Sequence, residues 1–279
     1  MCLMETAVIV FGASGRLGQA LLPRLAKADL APIAVARASE PGTPAPGVHW
    51  LQIDVTDERH CRRALPVLQR LASLYGRVVL VDLVLDRRSV SAMRDSTIDS
   101  TRYVCALGRR FSTGGHVVSY VLASTTAILA PWPLQTPYGL AKRRQLARYL
   151  CAAQPTAALL LPPLRPEAAQ ERDTLSWTFE RAAGQLVVQA QHPRGSRLVA
   201  PAAVAVGTRS AMRWSELAGL HVASFLSERD SPLAHRRASH ARLQLVPVRW
   251  RSNVDHHGAP DVLVQRAARR YQTAVQRVS

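Results

Sequence analysis

Apolar and polar positions follow two repeating patterns along the first part of the chain. Short apolar stretches rich in β-branched residues predict six strands, at 6–11, 32–36, 48–54, 76–85, 116–123 and 156–162. Between them, apolar residues recur at helical spacing and predict helices that end near residue 28 or cover about 57–75, 89–112 and 138–151. Strands that alternate with helices are typical of a parallel sheet with helices on both faces. The pattern therefore predicts a doubly wound α/β fold.

The alternation stops near residue 163. Residues 164–279 contain long polar, arginine-rich stretches, two helical patterns at 214–228 and 261–278, and few strand signals. We therefore predict a doubly wound domain over 1–163, followed by a smaller C-terminal lobe over 164–279.

The composition is that of a folded protein. With 279 residues, 48% of them hydrophobic, the chain can bury a substantial core. No apolar run reaches the roughly 18 residues that cross a bilayer, and the start lacks the basic and apolar segments of a secretion signal. Four widely spaced cysteines without a CxxC pair indicate reduced thiols. We expect a cytoplasmic protein without a membrane partner.

The net charge of +17 raises the alternative of a nucleic-acid partner. The arginines are scattered and form no block with interleaved aromatic residues, so a general enrichment in arginine explains the charge better. We expect no specific nucleic-acid binding. His256 and His257 stand beside Asp255, but no third ligand has a recognisable spacing, so no metal site is predicted.

The segment GASGRLG (12–18) follows the first predicted strand and opens the first predicted helix. Glycines at such a turn let the backbone approach a pyrophosphate, which the positive end of the helix attracts. We therefore predict dinucleotide binding by residues of this turn, namely Gly12, Ser14, Gly15, Arg16, Leu17 and Gly18.

The residue that ends the second predicted strand indicates which dinucleotide is bound. Proteins with this turn usually carry an acidic residue about 20 positions on, which bonds the ribose 2′-hydroxyl of NAD. Here Arg37 occupies that place, and Arg16 lies in the turn itself. Two guanidinium groups without a carboxylate favour a 2′-phosphate, so NADP is predicted over NAD.

The segment TPYGLAK (136–142) contains one of only two lysines among 36 basic residues, the other being Lys27. Tyr138 and Lys142 are four residues apart on a predicted helix and so share a face. A nearby cation favours the phenolate of a tyrosine, and an ammonium can also bond vicinal hydroxyls such as those of a ribose. Upstream, the hydroxyls of Ser124, Thr125 and Thr126 are available to polarise a carbonyl.

Together these motifs resemble the short-chain dehydrogenase/reductase family, over about residues 6–163. The resemblance rests on GxxGxxG (12–18), DVTD (54–57), ASTT (123–126) and YxxxK (138–142), in this order and spacing. The glycine spacing is similar to the extended or atypical branches. Residues 1–163 would then be the NAD(P)-binding domain and 164–279 the substrate-binding lobe.

The resemblance also implies roles for single residues. Tyr138 would be the general acid/base, and Lys142 would lower its pKa and hold the nicotinamide ribose. Ser124 would orient the substrate carbonyl, although Thr125 stays an alternative. Asp54 and Val55 would border the adenine. A homodimer is compatible with the resemblance.

The chain departs from the family after the fourth strand, where VDLVLDRR (81–88) replaces a segment of small residues. The asparagine common in the next helix corresponds best to Thr97. Two alternatives stay open here: Asp82, Asp86 and Arg87 face the substrate, or the last two form a salt-bridged surface turn.

The expected activity is NADP(H)-dependent carbonyl reduction or alcohol oxidation on a small organic substrate. The alternatives are a redox-neutral epimerase or dehydratase, and a dinucleotide-binding sensor or scaffold without catalysis.

Overall fold

The computed structural model describes residues 6–38, 45–129, 136–165, 177–192, 197–201 and 244–248. Ten strands are described: β1 (Thr6–Phe11), β2 (Ala31–Ala36), β3 (His49–Gln52), β4 (Arg77–Asp82), β5 (Val117–Thr125), β6 (Thr156–Leu161), β7 (Leu164–Arg165), β8 (Trp177–Thr178), β9 (Arg197–Pro201) and β10 (Gln244–Val248). Five α-helices accompany them: α1 (Arg16–Lys27), α2 (Glu58–Ala72), α3 (Val90–Thr113), α4 (Pro137–Leu150) and α5 (Phe179–Gln191). A short 3-10 helix covers Thr126–Leu129.

The main sheet has eight strands in the order β10-β9-β6-β5-β4-β1-β2-β3, and every pairing in it is parallel. Read from the other edge, its first six strands run 3-2-1-4-5-6, the order of a dinucleotide-binding fold. The predicted doubly wound α/β fold is confirmed. In such sheets ligands bind at the carboxyl ends of the strands where the order reverses, here between β1 and β4.

The two faces of the sheet carry separate apolar cores. One core joins alternate residues of the strands to α2, α3 and α4, and it includes Leu80, Leu122 and Tyr149. The other joins the intervening residues to α1 and α5, and it includes Val81 and Leu186. Because successive strand residues face opposite sides, the last residue of β4 lies on the α3–α4 side.

Side chains at the helix starts explain where the helices begin. Thr136 precedes α4, and its hydroxyl accepts a bond of 3.0 Å from the Gly139 N–H. Pro137 takes the first helical position, which suits its missing N–H and fixed φ. Helix α2 continues through Pro66, although a proline inside a helix commonly kinks or breaks it.

Three elements that follow residue 163 join the same body. Helix α5 packs against α1, while β9 and β10 lengthen the sheet beyond β6. The sequence pattern does not predict these two strands, because RLVAP and QLVPV are five residues long, contain proline and have polar neighbours. The helices predicted at 214–228 and 261–278, and the His256–His257 pair, lie outside the described residues. Within the described ranges, no helix combines the length and apolarity needed to span a membrane.

Candidate active site

The glycine turn between β1 and α1 lies at the point where the strand order reverses. Gly12 has a φ of 80°, and a Cβ there would lie 3.0 Å from the backbone of Leu83 and Val84. A Cβ on Gly18 would lie 2.4 Å from the Ala13 carbonyl oxygen. Glycine is therefore required at both positions, the first for its backbone conformation and the second for close packing of α1 on the turn.

The start of α1 is open to an anion. Gly15 is the N-cap residue, so no side chain caps the helix, and the first turn contains no acidic residue. Ser14, Gly15 and Arg16 are exposed, whereas Leu17 is half-buried. Free N–H groups at the positive end of a helix suit a phosphate. The turn thus fits the pyrophosphate of a dinucleotide.

Arg37 directly follows β2, and its side chain is 52% exposed. Its Nη1 lies 3.3 Å from Oδ2 of Asp86, and the same oxygen lies 2.6 Å from Nη2 of Arg88. The bonds from Arg88 and the ion pair with Arg37 hold the pKa of Asp86 well below its usual range. Asp86 therefore forms a salt-bridged turn, but with Arg37 and Arg88 rather than with Arg87.

The residues predicted to border the adenine follow β3. Oδ1 of Asp54 accepts bonds from the N–H of Thr56 at 2.9 Å and from its hydroxyl at 2.6 Å. Val55 is buried in the core, packed on the α2 side of the sheet. The carboxylate of Asp54 is thus used, at least in part, to hold its own loop.

Asp82 ends β4 and is 1% exposed. Its Oδ2 accepts bonds from Tyr149 Oη at 2.7 Å, Gln145 Nε2 at 2.9 Å and Ser100 Oγ at 3.4 Å. Its Oδ1 accepts a bond of 3.0 Å from the Val84 N–H. Burial raises the pKa of this carboxyl, and the nearby charge of Lys142 is the strongest effect that opposes the rise.

Lys142 is 3% exposed, and its Nζ donates a bond of 2.8 Å to Oε1 of Gln145. Burial lowers the pKa of its ammonium to about 8, against the opposing effect of Asp82. Lys142 and Asp82 are thus two buried groups joined by one glutamine. None of the sequence motifs pointed to this connection.

Tyr138 is half-buried at the start of α4, and its hydroxyl lies near the Thr125 side chain. Burial raises the pKa of Tyr138, whereas Arg87 and the neighbouring Thr125 hydroxyl lower it. Ser124 is 2% exposed, and its Oγ has no partner among the described residues. The structure therefore brings Thr125, rather than Ser124, to the predicted acid/base.

Arg87 is exposed in the loop after β4, and its positive charge lowers the pKa of both Tyr138 and Lys142. Among the described residues, it is therefore the cation that acts on Tyr138. Thr97, which corresponds to the family's asparagine, is buried and donates its hydroxyl to the Met93 carbonyl at 2.7 Å. The hydroxyl of Thr97 therefore forms its hydrogen bond within α3.

The sequence contains features from which several residues of this site could have been predicted. Gln145 and Tyr149 lie three and seven residues after Lys142, so all three share one face of α4. Asp82 ends a strand that is otherwise apolar. A buried carboxylate on a central strand needs donors from the helices packed over it, and polar residues on that face of α4 supply them.

Several solved structures match about 70% of this chain. The chain has the fold of the short-chain dehydrogenases. A short-chain dehydrogenase from Bacillus anthracis matches with a TM-score of 0.53 and 16% identity, over 71% of this chain and 94% of that chain. The structure of ElxO with NADP bound matches with a TM-score of 0.55 and 15% identity, over 71% and 97%.

A UDP-N-acetylglucosamine 4-epimerase from Bacillus cereus has the same fold. It matches with a TM-score of 0.52 and 18% identity, over 70% of this chain and 77% of that chain. No model of a protein family and no curated protein matches the sequence. At these identities the likeness concerns the fold.

Proposed function

We propose that the protein is an NADP(H)-dependent oxidoreductase that interconverts a carbonyl and an alcohol on a small organic substrate. The observation that carries the proposal is the half-buried Tyr138, whose hydroxyl lies near that of Thr125 at the carboxyl end of the parallel sheet. Ligands of such sheets bind at this end. A tyrosine there can give a proton to a carbonyl oxygen or take one from an alcohol.

The glycine turn supports dinucleotide binding. Gly12 and Gly18 leave no room for a side chain, and the uncapped start of α1 would hold the pyrophosphate. Arg37 and Arg16 would meet the 2′-phosphate of NADP, since both side chains are exposed and β2 is followed directly by Arg37 rather than by an acidic residue. The bound nicotinamide would supply or accept the hydride. ElxO, which has the same fold, is a precedent for NADP on it.

The residues of this chain would divide the remaining work. Tyr138 moves the proton, and the Thr125 hydroxyl beside it holds the substrate oxygen in line. Arg87 supplies positive charge, which favours the phenolate form of Tyr138 and so eases release of its proton, while Lys142 would hold the nicotinamide ribose. Ser124 is the sequence-based choice for the orienting hydroxyl. It is more deeply buried than Thr125, however, and this difference favours Thr125.

The test is a panel of carbonyl compounds assayed with NADPH, followed by Tyr138→Phe on any substrate that turns over. We expect the variant to fold and to bind NADPH as the wild type does, while turnover falls roughly 10²- to 10⁴-fold. NADPH binding without any turnover across the panel would point to a sensor or scaffold. Turnover without net consumption of NADPH would point to redox-neutral chemistry.

Lysine replacements give a second, internally controlled test. Lys142→Arg keeps the charge but brings a larger, planar group into a buried position, so both turnover and NADPH affinity should fall. Lys27→Arg makes the same change at an exposed position at the end of α1 and should leave both unchanged. Equal behaviour of the two variants would remove Lys142 from the proposed machinery.

A further inference from the structure

The buried carboxylate of Asp82 lies at the end of β4, beneath helix α4. It faces the α3–α4 side of the sheet and receives four donors, from Ser100, Gln145, Tyr149 and the Val84 backbone. Burying a carboxylate is costly unless it is paired and hydrogen-bonded. These four donors favour the charged form of Asp82 and oppose the effect of burial, which raises its pKa.

Gln145 connects this carboxylate to Lys142 in a defined direction. An ammonium can only donate and a carboxylate can only accept, so the amide must turn its oxygen to Lys142 and its nitrogen to Asp82. The bonds are 2.8 Å and 2.9 Å long, and all three residues are at most 3% exposed. The amide therefore fixes the ammonium relative to the carboxylate.

Lys142 needs this connection because its surroundings otherwise oppose a charge. It is enclosed by the protein, and the nearby guanidinium of Arg87 disfavours a second positive charge. Among the described residues, Asp82 is the acidic group that favours the charged lysine. A lysine in this position without a carboxylate would tend to lose its proton or leave the interior.

We propose that Asp82 is a positioning residue for Lys142, holding its ammonium in place and charged through the Gln145 amide. It takes no part in the chemistry itself. The proposal rests on the proposed function for the purpose of Lys142, but the hydrogen-bonded connection can be tested without a substrate or cofactor.

Five groups determine how this part of the protein responds to pH. Burial lowers the pKa of Lys142 to about 8 and raises the pKa of Asp82. Arg87, which lies in the loop after β4, lowers the pKa of Lys142 further. Tyr149 on α4 and Cys105 on α3 lie near Asp82, and burial raises the pKa of both, so they stay neutral. Removing the carboxylate should therefore lower the pKa of Lys142, and removing Arg87 should raise it.

The experiment is a pH titration of the full-length protein labelled with lysine carrying ¹³C at Cε. Because the chain has two lysines, its NMR spectrum contains two such signals, and Lys142→Arg identifies the one from Lys142. We expect the wild-type midpoint for Lys142 near 8. Asp82→Asn should lower it by at least one pH unit, a tenfold change in proton affinity. Arg87→Gln, an exposed change, should raise it.

The matched control is Asp95→Asn, the same chemical change at an exposed carboxylate that pairs with Arg94 on α3. It should leave the Lys142 midpoint where it is. If Asp82→Asn does not fold, Gln145→Met supplies the test, since it breaks the connection but keeps the carboxylate, and it should also lower the midpoint. If both variants fold and the Lys142 midpoint is unchanged in both, the proposal is overturned. If only Gln145→Met folds, an unchanged Lys142 midpoint in that variant overturns it.

A second readout connects the titration to cofactor binding. NADPH affinity measured between pH 6 and 9 should fall as Lys142 loses its proton, and in Asp82→Asn this fall should begin at lower pH. A shifted Lys142 midpoint with no binding of NADPH at any pH would leave the positioning role intact and reject the proposed function. A shifted midpoint with an unshifted NADPH profile would reject the link between them.

Discussion

Asp86 and Arg37 form an ion pair of 3.3 Å between the loop after β4 and the end of β2. The carboxylate thus contacts the guanidinium proposed to receive the 2′-phosphate of NADP. Arg88 binds the same carboxylate oxygen at 2.6 Å, so Asp86 is held between two cations. An anionic phosphate arriving at Arg37 must compete with Asp86 or share the arginine with it.

Cofactor choice should therefore respond to both partners of the pair. The wild type is expected to bind NADPH at least tenfold more tightly than NADH, about 1.4 kcal/mol. Arg37→Asp should narrow or invert this ratio, whereas Asp86→Asn should widen it by freeing the guanidinium. Fluorescence titration of each variant with both nucleotides measures the ratios, and Asp95→Asn serves as a control that alters another surface ion pair. Equal affinities in the wild type would contradict the NADP assignment.

The glycine turn allows nucleotide binding to be separated from folding. Gly15 has an ordinary φ of −71°, and a Cβ there would lie 3.3 Å from the Gly12 carbonyl oxygen. Gly15→Ala should therefore change the melting temperature little but weaken NADPH binding tenfold or more, because its methyl group lies where the pyrophosphate would approach.

Two further glycines calibrate that result. Gly18→Ala would force a Cβ to within 2.4 Å of the Ala13 carbonyl and should cost about 1–3 kcal/mol of stability. Gly184→Ala, in α5, meets no neighbouring atom and should leave stability unchanged or slightly raised. Thermal unfolding measures all three variants, and undiminished NADPH binding by Gly15→Ala would argue against a pyrophosphate at this turn.

The two hydroxyls at the end of β5 should behave differently. Thr125→Val removes the hydroxyl that lies near Tyr138 and should lower turnover roughly as much as the loss of one preorganised donor, about 10²-fold. Ser124→Ala removes a buried hydroxyl that has no partner among the described residues, so turnover should hold and stability should not fall. Steady-state kinetics and thermal unfolding of both variants test this difference. Reduced turnover in Ser124→Ala with unchanged turnover in Thr125→Val would assign the orienting role to Ser124.

The fold could be predicted because five of the first six strands are largely apolar and buried, all but β3, and the six alternate regularly with helices. Strands β9 and β10 are not predicted by the sequence because each is only five residues long, contains proline and has polar neighbours. The site divides in the same way. Gly12 and Gly18 could be read from the sequence because the backbone at each position excludes a side chain.

The surroundings of Lys142 could not be read in this way. The contact with Asp82 depends on which helix packs over β4 and on the side of the sheet that the strand's last residue faces. Ser124 and Thr125 are adjacent in sequence but face opposite sides of β5, so spacing to Tyr138 did not separate them. Such choices are made by three-dimensional packing, which local residue patterns do not record.

The burial of Lys142 should also be visible in the pH dependence of stability. Its pKa is about 8 in the folded protein and about 10.5 when the chain is unfolded. Between these values the unfolded state binds the additional proton, so this lysine makes the folded state more stable as pH rises, by up to about 1.4 kcal/mol per pH unit. Below pH 8 the cost of burying the charge is fully present.

Other groups act in the opposite direction over this range, so the effect must be measured as a difference. Burial raises the pKa of Cys61 and Cys105 to about 12, and their ionisation in the unfolded chain lowers stability as pH rises past about 9. These thiols are shared by the wild type and Lys142→Met. The free energy of unfolding from denaturant titrations at pH 7.5, 8.5 and 9.5 should therefore rise in the wild type relative to Lys142→Met. A difference that stays constant across these pH values would mean that Lys142 titrates outside this range.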